Sequence, residues 1–145
     1  MSLLKQLADH GFVPDPKHDK LVRHKDKRDK RYDLESLRKQ GWFETYQKYQ
    51  RLKVFDKCKR IIVFIGESGS KGRFVGIYDV GARAPAAEHA LPRGCPYPEW
   101  AEDAFYYPLD KRTGFEDLED SLVIAWGDAP RQWHQWFTDR RVVEF

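Results

Sequence analysis

Two β-rich segments joined by a short polar turn constrain the fold of this chain most strongly. Residues Ile61 to Ile65 are all β-branched or aromatic, and no polar residue interrupts them. Such a run predicts a strand that is covered on both faces. The segment ESGSKG (67–72) contains two glycines, and RFVGIYDV (73–80) is again rich in β-forming residues. The pattern predicts an antiparallel hairpin whose first strand is buried.

The remaining segments predict an α+β fold with five or six short strands. Further strands are expected at 21–24, 104–109, 122–126 and 141–145, with an irregular, Ala/Pro/Gly-rich segment at 81–100. Helices are expected at 2–10, 34–40, 42–50 and 115–120, and one or two helical turns at 130–137. Because regular helices do not separate successive strands, we expect a curled, barrel-like sheet rather than a doubly wound one.

The composition is typical of one globular domain, with 41% hydrophobic and 34% charged residues in a chain of 145. No apolar run approaches the roughly 18 residues that a membrane span needs. The first residues, MSLLKQLADHGF, lack the pattern of a signal peptide. Cys58 and Cys95 do not suggest a disulfide scaffold, so we expect reduced thiols and a cytoplasmic location.

Charge is distributed unevenly along the chain. Residues 1–60 hold 17 of the 26 Lys and Arg and 9 of the 23 Asp and Glu, a net +8, whereas residues 61–145 hold the other 9 and 14, a net −5. A basic lobe on an acidic domain is typical of a phosphate-facing surface, although Asp19, Asp26 and Asp29 also suit an ordinary solvated surface. The phosphate-binding candidates are Arg23, His24, Lys25, Lys27, Arg28, Lys71, Arg73 and Arg131.

Motifs for catalysis and for nucleotide binding do not occur in the sequence. After Gly66, Lys71 and Gly72 stand in the reverse order to a P-loop, and a strand pattern follows instead of a helix. The letters GIY at 76–78 lack the downstream YIG of a GIY-YIG nuclease. No Ser lies in a G-x-S-x-G elbow, and the His and Cys residues lack zinc spacing. We therefore predict no catalytic residue, no metal and no cofactor.

Indole side chains are concentrated in the last third of the chain, at Trp126, Trp133 and Trp136. Most aromatic side chains in a domain of this size pack in its core. Rings beside Arg131 and Gln132 are also what a pocket for a flipped nucleobase uses, because rings stack on the base while polar groups read its edge. The sequence leaves both interpretations open.

Five segments between residues 20 and 145 carry a family resemblance: VRHKD, YQKYQ, VFIGESGSKGRFVGIYDV, YYPLDKRTGFEDLEDSLVIAWGDAPRQWHQW and RRVVEF. They resemble the N-terminal domain of bacterial proteins that in several cases carry a GIY-YIG nuclease, and more broadly the PUA-like superfamily of EVE, ASCH, YTH and SRA domains. The resemblance implies a small curled five- to six-stranded PUA-like β-barrel with helices concentrated in the N-terminal third. It implies a single domain, 1–145, with a basic, mainly helical lead-in at 1–57 and the barrel portion at 58–145.

The resemblance also implies a function, because relatives hold a modified or flipped base in a pocket of the barrel. It implies a module that recognises a modified base, in DNA more than in RNA, as the reader of a restriction system, with cleavage by a fused or partner nuclease. An RNA-binding protein, a small enzyme acting on nucleosides and a protein-interaction domain with a filled core stay open as alternatives. The base-pocket candidates are Tyr46, Tyr49, Gln50, Tyr78, Trp126, Trp133 and Gln135.

Overall fold

The computed structural model describes residues 3–24, 38, 46–48, 55–67, 71–85, 105–125 and 134–136. Within them lie one short helix and eight strands: α1 (Leu3–Asp9), β1 (Asp19–His24), β2 (Tyr46–Lys48), β3 (Arg60–Glu67), β4 (Lys71–Val80), β5 (Ala84–Pro85), β6 (Phe105–Lys111), β7 (Val123–Ala125) and β8 (His134–Trp136). The fold is therefore mixed α+β. No helix in the described parts of the chain is long and apolar enough to cross a membrane.

The predicted hairpin is confirmed as the centre of the sheet. Strands β3 and β4 pair antiparallel from Arg60↔Asp79 to Glu67↔Lys71, with a bulge between Val63 and Phe64. Residues 61–66 of β3 are all buried, as an unbroken apolar run predicts for a strand covered on both faces. Strands β1, β6 and β7 pair directly with the two strands of this hairpin.

The described strands form an open sheet in the order β2-β6-β4-β3-β1-β8, with β5 paired to β6 and β7 paired to β4. Strand β1 runs parallel to β3, while every other pairing is antiparallel. The predicted barrel is not closed, because the outer strands β2 and β8 do not pair with each other in the part of the chain that the structure describes. The sequence patterns did not predict the short strands β2, β5 and β8.

Strand β1 comes from the predicted lead-in, 1–57, but lies inside the sheet between β3 and β8. Its residues Leu21 and Val22 are fully buried. Strand β2 also comes from this segment and pairs with β6. The sheet therefore draws strands both from residues 1–57 and from residues 58–145.

Helix α1 is confirmed, and its end is explained by Gly11. The backbone of Gly11 has φ 79°, a value that glycine adopts without strain. The Phe12 N–H donates to the carbonyl of Leu7, and the Gly11 N–H donates to that of Ala8, which is the double bond of a Schellman motif. The turn carries Phe12 back over the sheet, where it joins Leu3 and Leu7 in the core.

Three segments that were predicted to be helical differ in the structure. Tyr46–Lys48 is a strand on β6, and His134–Trp136 is a strand on β1, because pairing with an available sheet edge outweighs local spacing in aromatic-rich segments. Residues 116–121 form turns, and Asp120 has φ 63°, which ends any helix there. The helix predicted at 34–40 is described only at Arg38, which is helical, and the strand predicted at 141–145 lies outside the described residues.

Candidate nucleic-acid interface

One end of the sheet collects several of the residues that the sequence singled out, and we call it the hairpin end. Here β1 ends at His24, β3 ends at Glu67, β4 begins at Lys71 and β7 ends at Ala125. The registers His24↔Ile65, Glu67↔Lys71 and Lys71↔Ala125 place these termini together. In the sequence Lys25 follows His24 and Trp126 follows Ala125, but both lie outside the described residues.

Two backbone carbonyls position Arg23 at the hairpin end. Its Nε donates to the Lys71 carbonyl at 3.0 Å and its Nη2 donates to the Glu67 carbonyl at 3.1 Å. The guanidinium lies over Gly66, where a Cβ atom would come within 2.7 Å of its Cζ. Burial lowers the pKa of Arg23 from its usual value, although a guanidinium stays protonated at neutral pH.

The charge of Arg23 is not compensated by a carboxylate among the described residues. Its two hydrogen-bond acceptors there are neutral carbonyl oxygens. Every other arginine for which the structure gives a side-chain partner has a carboxylate within 4.0 Å, namely Arg38, Arg60, Arg73, Arg83 and Arg112. A fixed guanidinium without a carboxylate is suited to an external anion, because its geometry is already set.

Arg73, the second predicted phosphate ligand at this end, has a different environment. Its Nε donates to Glu67 Oε1 at 2.8 Å, and its Nη1 donates to Asp120 Oδ1. Asp120 also accepts two bonds from Arg38 Nη1, at 2.9 and 3.1 Å. The positive charge of Arg73 is therefore neutralised within the chain.

The ion pairs at this end extend from Asp120 to its neighbour in the sequence. Glu119 accepts from Lys111 Nζ at 2.7 Å and from Arg38 Nη2 at 3.4 Å. Burial by itself would raise the pKa of Asp120, but the hydrogen bonds and charges of Arg38 and Arg73 outweigh it and hold the pKa below its usual value. Asp120 is therefore ionised at neutral pH and bridges two guanidinium groups.

Other predicted site residues are placed apart from this end or inside the core. His24 is only 7% exposed and Tyr78 only 1%, so neither offers a free surface to a phosphate or a base in this structure. Tyr46 pairs with Pro108 on β6, beyond the opposite end of β4, and Gln135 pairs with Leu21 on β1. The structure therefore does not bring the described members of the predicted base pocket together.

Eight predicted site residues lie outside the described residues: Lys25, Lys27, Arg28, Tyr49, Gln50, Trp126, Arg131 and Trp133. Sequence reasoning missed Arg38, Glu119 and Asp120, which form several of the ion pairs at the hairpin end. Glu119 and Asp120 belong to the segment 115–120, which the sequence predicts to be a helix. The sequence carries a weak signal of this placement. The acidic pairs at 116–117 and 119–120 alternate with the apolar residues Phe115 and Leu118, which are both buried.

A groove of about 600 Å³ lies at the opposite end of the sheet. It is formed by the chain leading into β3 and the chain leaving β4, and its lining includes Asp56, Cys58 and Asp79. Both carboxylates have partners, since Tyr107 donates its hydroxyl to Asp56 and Arg112 forms two bonds with Asp79. Burial raises the pKa of the Cys58 thiol to about 12, so this thiol is not a nucleophile at neutral pH.

No group of His, Cys, Asp and Glu in the described ranges has an arrangement that could hold a metal ion. Comparisons of the chain with protein-family models, with curated proteins and with solved structures found no match.

Proposed function

We propose that the chain is a nucleic-acid-binding module and that it holds backbone phosphates at the hairpin end. The observation that carries the proposal is Arg23, a guanidinium fixed by two carbonyls and left without a carboxylate in the described part of the chain. Lys71 is exposed beside it, and the basic segment KDKRDKR continues directly from β1. Phosphate contacts of this kind supply most of the affinity in sequence-independent binding.

Double-stranded DNA with a modified base is the ligand that we propose. This part rests on the resemblance to PUA-like domains, with Trp126 and Trp133 as the rings that stack on a flipped base. In this proposal the chain reads the base and breaks no bond, while a nuclease domain, fused or separate, cleaves. A cytoplasmic location belongs to the same proposal, and Cys58 is a free thiol.

The proposal is tested by a binding panel of short duplexes and single strands at two salt concentrations. The panel includes unmodified strands and strands with 5-methylcytosine, 5-hydroxymethylcytosine or N6-methyladenine. Affinity should fall steeply as salt rises, because each Lys or Arg contact releases counterions. Absence of salt-dependent binding to every strand would show that the proposal is wrong. Stronger binding to RNA single strands than to duplex DNA would favour the RNA-binding alternative.

Arg23 and Trp133 have separate roles in the proposal and can be tested separately. Arg23→Gln should weaken binding to all sequences about fivefold to tenfold and lower the salt slope by about 1. Lys59→Gln removes the same charge from an exposed position at the opposite end and should leave binding nearly unchanged. Trp133→Ala should abolish the preference for a modified base while leaving the salt slope intact. Equal losses from Arg23→Gln and Lys59→Gln would contradict the placement of the interface.

A further inference from the structure

The turn at 115–121 is fixed to the core while its carboxylates point away from it. Phe115 and Leu118 are 5% and 7% exposed and belong to the same core cluster as Phe64 and Phe74. The Asp120 N–H donates to the Phe74 carbonyl at 2.9 Å, which attaches the turn to the middle of β4. These anchors set the position of the Asp120 carboxylate independently of its ion pairs.

The Asp120 carboxylate occupies a place that an external oxyanion could take. Arg38 and Arg73 both donate to it, and their side chains are only 14% and 18% exposed, whereas Asp120 is 48% exposed. The carboxylate therefore lies between two guanidinium groups and the solvent. A phosphate group accepts hydrogen bonds from guanidinium in the same forked geometry as a carboxylate.

Counted over the described residues alone, the formal charges within this cluster cancel. Three cations, Arg38, Arg73 and Lys111, are matched by three carboxylates, Glu67, Glu119 and Asp120. The same cluster without one carboxylate would carry a net +1. The conformation of Asp120, with φ 63°, is one that Asn and Gly also adopt readily, so its charge can be removed without new backbone strain.

We propose that Arg38, Arg73 and Lys111 form a second phosphate-binding site, which Asp120 and Glu119 occupy in the free protein as mimics of a phosphate. This inference rests on the proposed function. A nucleic-acid strand must displace the Asp120 carboxylate to reach the site, so the turn lowers the affinity of the module. A polyanion that is already held at Arg23 competes with the carboxylate far better than a free phosphate does.

The second site is distinct from Arg23 in position. Register pairs Arg23 with Phe64 and Arg73 with Ile65, and neighbouring residues of a strand point to opposite faces. The two arginines therefore leave opposite faces of the sheet at the same end, on the strands that flank β3. A strand of nucleic acid that crosses the tip of the hairpin passes both positions, which are about 10 Å apart across the sheet.

The test uses two substitutions of Asp120 and one matched control. Asp120→Asn removes the charge and keeps the shape, whereas Asp120→Gly removes the whole carboxylate and opens the site. Each should increase affinity for a short DNA duplex, by about tenfold for the glycine variant, and steepen the salt slope by about 1 as a new phosphate contact forms. Asp110→Asn gives the same change of net charge at an exposed position of β6 outside this cluster. It should change affinity less than twofold.

Adding Arg73→Gln to Asp120→Gly should cancel the gain in affinity, because the guanidinium that receives the phosphate is then missing. If the unaltered protein binds DNA but Asp120→Gly binds no more tightly than Asp110→Asn, the carboxylate is only structural and the inference is overturned, while the proposed function stands. If neither the unaltered protein nor any variant binds a strand of the panel, the proposed function itself is overturned.

Discussion

Asp19 shows how a single residue of the basic lobe serves the fold instead of the surface. The sequence suggested that Asp19 dilutes a solvated basic segment, but its side chain is fully buried. It accepts from Arg60 Nε at 2.9 Å and Nη2 at 2.6 Å, and from the Asp15 N–H at 2.6 Å. The guanidinium of Arg60 lies over the Phe12 ring at 4.3 Å from its centre. The pair thus joins β1, β3 and the segment after α1.

Asp19→Asn should lower the free energy of unfolding by about 3 kcal/mol, as expected when one partner of a buried ion pair is removed, measured by urea denaturation. The value lies at the low end of the usual range because Arg60 is 20% exposed and can be partly solvated. Asp79→Asn breaks a similar two-bond pair with Arg112, but these side chains are 44% and 40% exposed. That control should cost less than about 1 kcal/mol. Equal costs for the two variants would contradict the prediction.

His10 provides a contact between α1 and the turn at 115–121 that depends on pH. Its Nε2 lies 2.8 Å from Asp117 Oδ2 and its Nδ1 lies 2.7 Å from the Gln6 carbonyl. Both neighbours are acceptors, so only the doubly protonated ring can donate to both. The Asp117 carboxylate, followed by the Gln6 carbonyl, therefore raises the pKa of His10 above 6.5, and His10 in turn lowers the pKa of Asp117 below 3.8.

The sign of the pH effect follows from these two shifts. The stabilising contribution of His10 is complete below pH 6.5 and is lost as pH rises through its raised pKa. On the acid side, the contribution of Asp117 is lost as pH falls through its lowered pKa. We expect an NMR titration of His10 to show the raised pKa, and Asp117→Asn to return it towards 6.5. A His10 pKa that is the same in both proteins would show that the contact does not form.

At the scale of the elements, Gly66 within β3 and Gly81 directly after β4 test which contacts are rigid. A Cβ on Gly81 would lie 2.6 Å from Pro108 Cγ, in the neighbouring strand β6, whose carbonyl accepts the Gly81 N–H at 2.8 Å. A Cβ on Gly66 would lie 2.7 Å from Cζ of Arg23, the far end of a long side chain. The two clashes are similar in distance but differ in how easily the neighbour moves.

Gly81→Ala should therefore lower the free energy of unfolding by about 1–3 kcal/mol, since a proline ring in a paired strand cannot move aside. Gly66→Ala should cost less than about 1 kcal/mol, because Arg23 can rotate away, but it should weaken nucleic-acid binding as Arg23→Gln does. Thermal or urea denaturation gives the first comparison, and the binding panel gives the second. Normal binding by Gly66→Ala would show that the fixed position of Arg23 is not required.

Element prediction from the sequence succeeded where a pattern was long or had a specific end signal. The apolar run of β3 and the Schellman glycine after α1 are examples. It was wrong at Tyr46–Lys48 and His134–Trp136, where three residues pair with an edge supplied by a distant segment. Such short strands have little intrinsic preference, so the partner strand decides their conformation.

On the scale of the whole molecule, the central hairpin depends on residues that lie far before it in the sequence. Strand β1 fills the edge of β3 in parallel register, from Asp19↔Arg60 to His24↔Ile65. Four of the eleven described members of the core cluster also come from the first 24 residues: Leu3, Leu7, Phe12 and Leu21. The segment 58–145 by itself would expose the edge of β3 and much of the core.

We therefore expect a fragment of residues 58–145 to lack a cooperative unfolding transition and to give a poorly dispersed NMR spectrum. Loss of β1 leaves the backbone of β3 without partners on one side, and unpaired apolar strand edges promote aggregation. The intact chain of 145 residues is the control. A fragment that unfolds cooperatively would show that the N-terminal segment is a separate lead-in after all.

The sequence by itself determined the hairpin, helix α1 and the mixed α+β class, because these follow from local periodicity and from backbone preferences of single residues. It also singled out Arg23 and Arg73 as cationic groups. Only the tertiary structure decided that β1 lies parallel to β3, that Arg23 keeps an uncompensated charge in the described residues, and that Asp120 neutralises Arg73. The reason is physical: the effective charge of a side chain depends on what lies within a few ångströms of it, and residues 47 positions apart in the chain become such neighbours only through folding.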